Sequence, residues 1–143
     1  MKRTSLEDLL KEGAIQEIKT SSKAISNSLI KAGKDIDAAQ VLLESGQYDW
    51  SLNASYTAIL VSARAYMNSK GYRPTSKGGH VAVVRFLQAD DRDLRNYAPR
   101  VDRMRRSRHR VTYDEYDIIT KRDAQNAVKT AQKFLFLIES KVK

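Results

Sequence analysis

The amino-acid sequence predicts an all-α fold, an up-and-down bundle of about five or six helices forming a single domain. Three observations predict it. Apolar residues recur at spacings of three and four through most of the 143 residues, which is the mark of helix faces. Only six Gly and two Pro are present, too few for a turn-dense β fold. Hydrophobic residues make up 41% and charged residues 30%, the balance of a folded chain with a buried core.

The elements follow in order. Ser5 caps a short helix, LEDLLKE, that Gly13 ends. This helix falls in residues 1–20, a segment placed outside the core bundle. A second helix fills Ser21 to Ser45, with Ile25, Leu29, Ala32, Ile36, Ala39 and Leu43 on one stripe and Gly46 as its stop. The third, Tyr48 to Lys70, is apolar on most faces, because Ala54, Ala58, Val61 and Ala65 fill the girth that Leu52, Tyr56, Ile59, Leu60 and Ala63 leave open. Such a helix belongs at the centre of a bundle. YRPTSKGG reads as a loop, and His80 to Ala89 as a shorter helix with Val81, Val84 and Leu87 inward. Asp90 and Asp91 open a segment striped by Leu94, Tyr97, Val101 and Met104, which Pro99 kinks or restarts. Thr120 caps the last helix, whose stripe is Ala124, Ala127, Val128, Ala131, Leu135, Ile138 and Val142. No strand pair, internal repeat or low-complexity linker is expected.

Cysteine is absent and His80 and His109 are the only histidines, so neither disulfides nor a metal cluster is expected, and no cofactor motif is present. The N-terminus lacks a long apolar stretch and no apolar run reaches membrane-spanning length, which implies a cytoplasmic protein without membrane contact. The formal charge is +9 and lies unevenly: residues 91–110 hold eight Arg against three Asp, a net +5. That asymmetry fits a polyanionic partner, RNA first.

Arg100, Arg103, Arg105, Arg106, Arg108 and Arg110 crowd eleven residues. Guanidinium groups suit phosphate because they offer paired donors and remain charged when partly desolvated. The plainer reading is a solvated helix face whose arginines pair with the chain's own acids. Arg108 stands apart, since the stripe through Val101 and Met104 continues onto it; an inward Arg needs a partner for its charge. The imidazole of His109 could exchange a proton with a ribose 2′-hydroxyl or a leaving oxygen, although a lone histidine on a basic helix is usually inert. His80 follows KGG in a first helical turn, where exposed amides can meet an anion, but KGGH lacks the P-loop pattern.

Three regions between Tyr48 and Lys141 together resemble the HEPN (higher eukaryotes and prokaryotes nucleotide-binding) family, particularly its small archaeal and bacterial members. YDWSLNASYTAILVSARAYMNSKGYRP is similar to the family's Tyr- and Ala-rich second helix and its Gly-containing turn. KGGHVAVVRFL is similar to the short helix after it, and RMRRSRHRVTY with the Ala-rich last helix resembles the segment bearing the family's site. The resemblance implies a helical bundle that dimerises. It also implies RNA or nucleotide as ligand, and in active members a metal-independent ribonuclease, often a toxin paired with a nucleotidyltransferase antitoxin. The family's motif, an Arg followed several residues later by a His, fits Arg103 and His109, with His109 as general acid/base and Arg103 or Arg108 stabilising the phosphate. On an unbroken helix these two stand about 120° apart. A second register resembles the degenerate form of the site, Arg108 followed by Tyr113, and implies a non-catalytic interaction or dimerisation module for a nucleotidyltransferase-type or other acidic partner. In either register Arg100, Arg105, Arg106, Arg110 and Tyr113 are the candidate contacts to RNA or nucleotide.

Overall fold

The computed structural model describes residues 5–90, 92–111 and 118–142. Short-range chemistry sets several helix ends. Helix α1 (Leu6–Lys11) starts at a capping box, in which Asp8 N–H donates to Ser5 Oγ at 3.1 Å and Ser5 N–H to Asp8 Oδ2 at 3.3 Å. Helix α2 (Ser22–Glu44) is capped by Ser21, whose Oγ accepts from Ala24 N–H. Its C-terminus closes with Gly46 at φ 77°, so that Gln47 N–H reaches Leu42 O at 2.8 Å and Gly46 N–H reaches Leu43 O at 3.1 Å. This left-handed closure turns the chain at once into α3 (Tyr48–Ser69).

Helix α3 is central, packing against α2, α4 (Gly79–Ala89), α6 (Ala98–His109) and α7 (Lys121–Val142). Twelve of its 22 residues are buried, among them Ile59 and Ala63 with no exposed surface. Small side chains let the neighbours close in: Ser51 is fully buried and its Oγ donates to Ala39 O of α2 at 2.8 Å. Helix α5 (Arg92–Arg95) is a single turn, and Pro99 restarts the chain in the first turn of α6, where its missing N–H is harmless. Thr120 caps α7, accepting from Asp123 N–H while its own N–H donates to Asp123 Oδ2. The result is five helices of eleven residues or more, with two short ones, among the described residues. The all-α bundle expected from the sequence is the fold observed.

Three local expectations need correction. The loop read into YRPTSKGG contains a strand, β2 (Tyr72–Pro74), which pairs antiparallel with β1 (Ile15–Glu17) in the register Ile15 with Pro74 and Glu17 with Tyr72. Strands of three residues are too short to show alternation, so their pairing is set by tertiary contact. Val81 is exposed; the buried face of α4 is Ala82, Val83, Phe86 and Leu87 with Val84. On α7 the largest buried side chain is Phe134, with Leu135 only half-buried.

The N-terminal segment joins the core rather than standing off it. Leu9, Ala14 and Ile15 are buried, and a Cβ on Gly78 would collide with the Ala14 carbonyl. Glu12 pairs with Arg85 of α4, and that ion pair holds the Glu12 carboxyl below the usual carboxylate range. Among the described residues no helix is long and apolar enough to cross a membrane, and no group of three His, Asp or Glu could hold a metal ion.

Candidate functional site

Helix α6 runs without a break from Ala98 to His109, so each of its arginines is held at a fixed angle to the rest. The inward stripe Ala98, Val101 and Met104 is buried and continues onto Arg108, as the spacing in the sequence indicates. Arg108 is half-buried, and its Nε donates to Asn53 Oδ1 of α3 at 2.9 Å. Its guanidinium carbon lies 5.9 Å from the centroid of the Tyr56 ring, one turn further along α3. A cation over a ring face gains from the ring quadrupole, and the Asn53 oxygen fixes the plane of the fork. Among the described residues the other guanidinium donors of Arg108 have no hydrogen-bond partner.

Tyr56 carries the site into α4. Its side chain is almost fully buried, and its hydroxyl lies 3.1 Å from His80 Nδ1, with the two ring centroids 5.7 Å apart. Which atom donates follows the imidazole tautomer. Burial pushes the Tyr56 phenol up to about 12, against the opposing pull of Arg105, Arg108 and Arg64, so it is a neutral hydrogen-bonding group at physiological pH. Burial also lowers the His80 pKa from its ordinary value, and the positive charges of Arg64, Arg108 and Arg105 lower it further. A neutral imidazole thus sits in a strongly positive field. Arg105, one turn before Arg108, donates from Nε to Asp102 Oδ1 at 3.0 Å, and Arg106 reaches the other oxygen of that carboxylate at 3.4 Å.

The other arginines of α6 face elsewhere. Arg100 and Arg103 line an open cleft of about 580 Å³ between α6 and α7, with Lys129 and Lys133 across from them and Asp123 as its acid. Arg100 also stacks 5.3 Å from the Tyr97 ring. His109 and Arg110 are exposed at the end of the helix, and His109 does not line that cleft. Within one chain the structure therefore does not bring Arg103 and His109 together, because α6 stays regular between them. Tyr113, the partner in the second register, lies outside the described residues.

Sequence reasoning missed Asn53 and Arg64 and took Tyr56 for a plain core residue. One signal was present: an Asn one turn before a Tyr on the broad apolar face of α3. A buried Tyr hydroxyl ordinarily has a partner, and an Asn on that face offers an oxygen to an inward Arg.

Comparison with known proteins agrees with the fold. The family model described as HEPN domain matches residues 25–141. The crystal structure of ST0689, an archaeal HEPN homologue, superposes with a TM-score of 0.66 at 19% identity, covering 83% of this chain and 98% of that one. TT1696 from Thermus thermophilus superposes with a TM-score of 0.64 at 22% identity, covering 82% of this chain and 97% of that one. No curated protein matches the chain. Since the family model covers α2 through most of α7, the chain belongs to the HEPN domain family.

Proposed function

We propose that this chain binds RNA or a nucleotide by its phosphate, with Arg108 as the principal contact, Arg105 and Arg64 adding charge, and His80 beside them. One observation carries the reading: Arg108 is oriented by Asn53 and Tyr56, neither of which neutralises it. An arginine held half-buried with no carboxylate partner among the described residues is costly unless an anion completes it, and phosphate matches its paired donors. The protein works as a twofold dimer, which sets two such sites side by side and lets Arg103 of one chain approach His109 of the other. Its net charge of +9 also suits an acidic partner, such as a nucleotidyltransferase antitoxin.

A second reading, metal-independent cleavage of RNA, is favoured by one feature. A neutral imidazole hydrogen-bonded to a phenol and surrounded by guanidinium groups has the parts for proton transfer beside a stabilised phosphate. The test is titration of labelled single-stranded RNA in EDTA, read by anisotropy for binding and by gel for chain length. RNA bound and intact supports the binding module. RNA bound and shortened supports the nuclease, and loss of roughly 10² to 10⁴ in rate on His80→Ala or on His109→Ala then identifies the proton-transfer group. Absence of binding at low salt overturns the proposal.

A further inference from the structure

A second groove, of about 620 Å³, lies on the side of α3 where the chain leaves β1. It is lined by Lys19, Arg64, Asn68, Arg73 and Thr75, with Gly79 at the start of α4. Three of these are cationic, and among the described residues no acidic or aromatic one lines it. None of the three has an ion pair among the described residues. Arg73 has a neutral partner instead: the Gln16 side-chain oxygen, in the amide orientation its neighbours require, accepts from Arg73 Nη2 at 2.6 Å and Nε at 2.7 Å. Arg73 is therefore held in place, and the charge of the three cations is left without an ion pair among the described residues.

The walls are firm. Ile18 N–H donates to Gly71 O at 2.8 Å, and Asn68 accepts from both Thr20 Oγ1 and Ser21 N–H. Part of the groove, Ile18 to Ala24, precedes the residues that match the family model.

Arg64 joins this groove to the site described above. It lines the groove, and its charge also depresses His80 and acts on Tyr56. Gly79 lines the groove while its neighbour His80 bonds to Tyr56. The first turn of α4 thus lines the groove through Gly79 and meets the Arg108 cluster through His80 and Tyr56.

We propose that the groove takes the backbone of single-stranded RNA extending from the phosphate at Arg108, with Arg64 shared and Lys19 and Arg73 contacting the further phosphates. This rests on the reading of Arg108 as a phosphate site. A single strand is favoured because a positively charged groove tracks a flexible backbone, whereas a duplex presents a convex surface read by shape. Without an aromatic platform the groove stacks no base, so its contribution is sequence-independent and salt-sensitive.

The experiment compares a dodecamer of uridylate with 5′-UMP as ligands for the full chain, followed by anisotropy and by NMR shift respectively. Both Lys19 and Arg73 are exposed, so the Lys19→Ala/Arg73→Ala double variant folds as the wild type does, which circular dichroism checks. The double variant is expected to bind the dodecamer several-fold more weakly and to flatten its log–log salt slope by about 1.4, while UMP binding stays unchanged. Arg108→Ala is expected to weaken both ligands. Wild-type dodecamer affinity and slope in the double variant, with Arg108→Ala still weakened, overturn the groove and leave the phosphate site standing. A weakened double variant beside an unaffected Arg108→Ala leaves the groove as an RNA site and removes Arg108 from it. A wild type that binds neither ligand overturns both.

Discussion

Helices α3 and α6 meet where Asn53 holds Arg108, and they are built on opposite principles. Twelve of the 22 residues of α3 are buried, and Ser51, Ser62 and Ser69 bond to backbone carbonyls of α2 or of α3 itself. Only three of the 12 residues of α6 are buried, and most of the rest are charged. One helix positions its neighbours; the other carries the charge and depends on those neighbours for direction. The lesson is that stability and function separate by helix. Substitutions in α3 should break the fold, and substitutions on α6 should break binding while the fold survives.

The largest effect expected from that division is in α3. Ile59 has no exposed surface, and Ile59→Asp places an unpaired charge in the core at a cost of about 3 kcal/mol or more. Arg103→Ala, on the exposed side of α6, should change stability by no more than about 0.5 kcal/mol. Urea denaturation of the two variants checks the contrast, and an Ile59→Asp midpoint equal to that of wild type breaks it.

The next effect is in the salt dependence of RNA binding. If α6 and its surroundings contact about five phosphates of single-stranded RNA, log affinity falls against log salt with a slope near −3.5. A flat dependence would move the charge of α6 from nucleic acid to some other role. Isothermal titration at four salt concentrations is sufficient to measure it.

The smallest effect concerns pH and sits at the junction of the two helices. In the folded chain His80 titrates below its ordinary value, so the folded state resists a proton that the unfolded chain accepts. Stability should therefore be full above about 6.5 and decline as pH falls through the window between that value and the folded one. Tyr56 of α3, Arg64 of α3, and Arg105 and Arg108 of α6 face the imidazole. A bound phosphate offsets those cations and raises the His80 pKa, so RNA affinity should increase on acidification through the same window. His80→Gln should remove both dependences. An NMR titration of the His80 ring with and without inorganic phosphate that shows no upward shift speaks against phosphate in this cluster.

Much of the fold was legible because its decisive contacts are local. Ser5, Ser21 and Thr120 bond within three residues of themselves, and Gly46 adopts the conformation that a helix stop requires. The β1–β2 pair was not legible, since Ile15 and Pro74 are brought together only by the packed helices between them. The site divides in the same way. Arg108 could be placed inward from its spacing to Met104, but its partner Asn53 lies 55 residues away and Tyr56 lies 24 residues from His80. In the sequence, His109 is the histidine of the arginine-rich stretch. The structure instead surrounds His80 with that charge, through contacts that no periodicity encodes.

In the RNA complex proposed above, the Arg108 edge of α6, not the Arg103 edge, holds the phosphate. The direct test is the affinity of Arg108→Ala and Arg103→Ala for one single-stranded RNA at one low salt concentration, with thermal midpoints confirming that both are folded. The account predicts a loss of about tenfold or more for Arg108→Ala, the size of a charge-assisted pair of hydrogen bonds, and a loss of only a few-fold for Arg103→Ala. The reverse order, or equal losses, would contradict it.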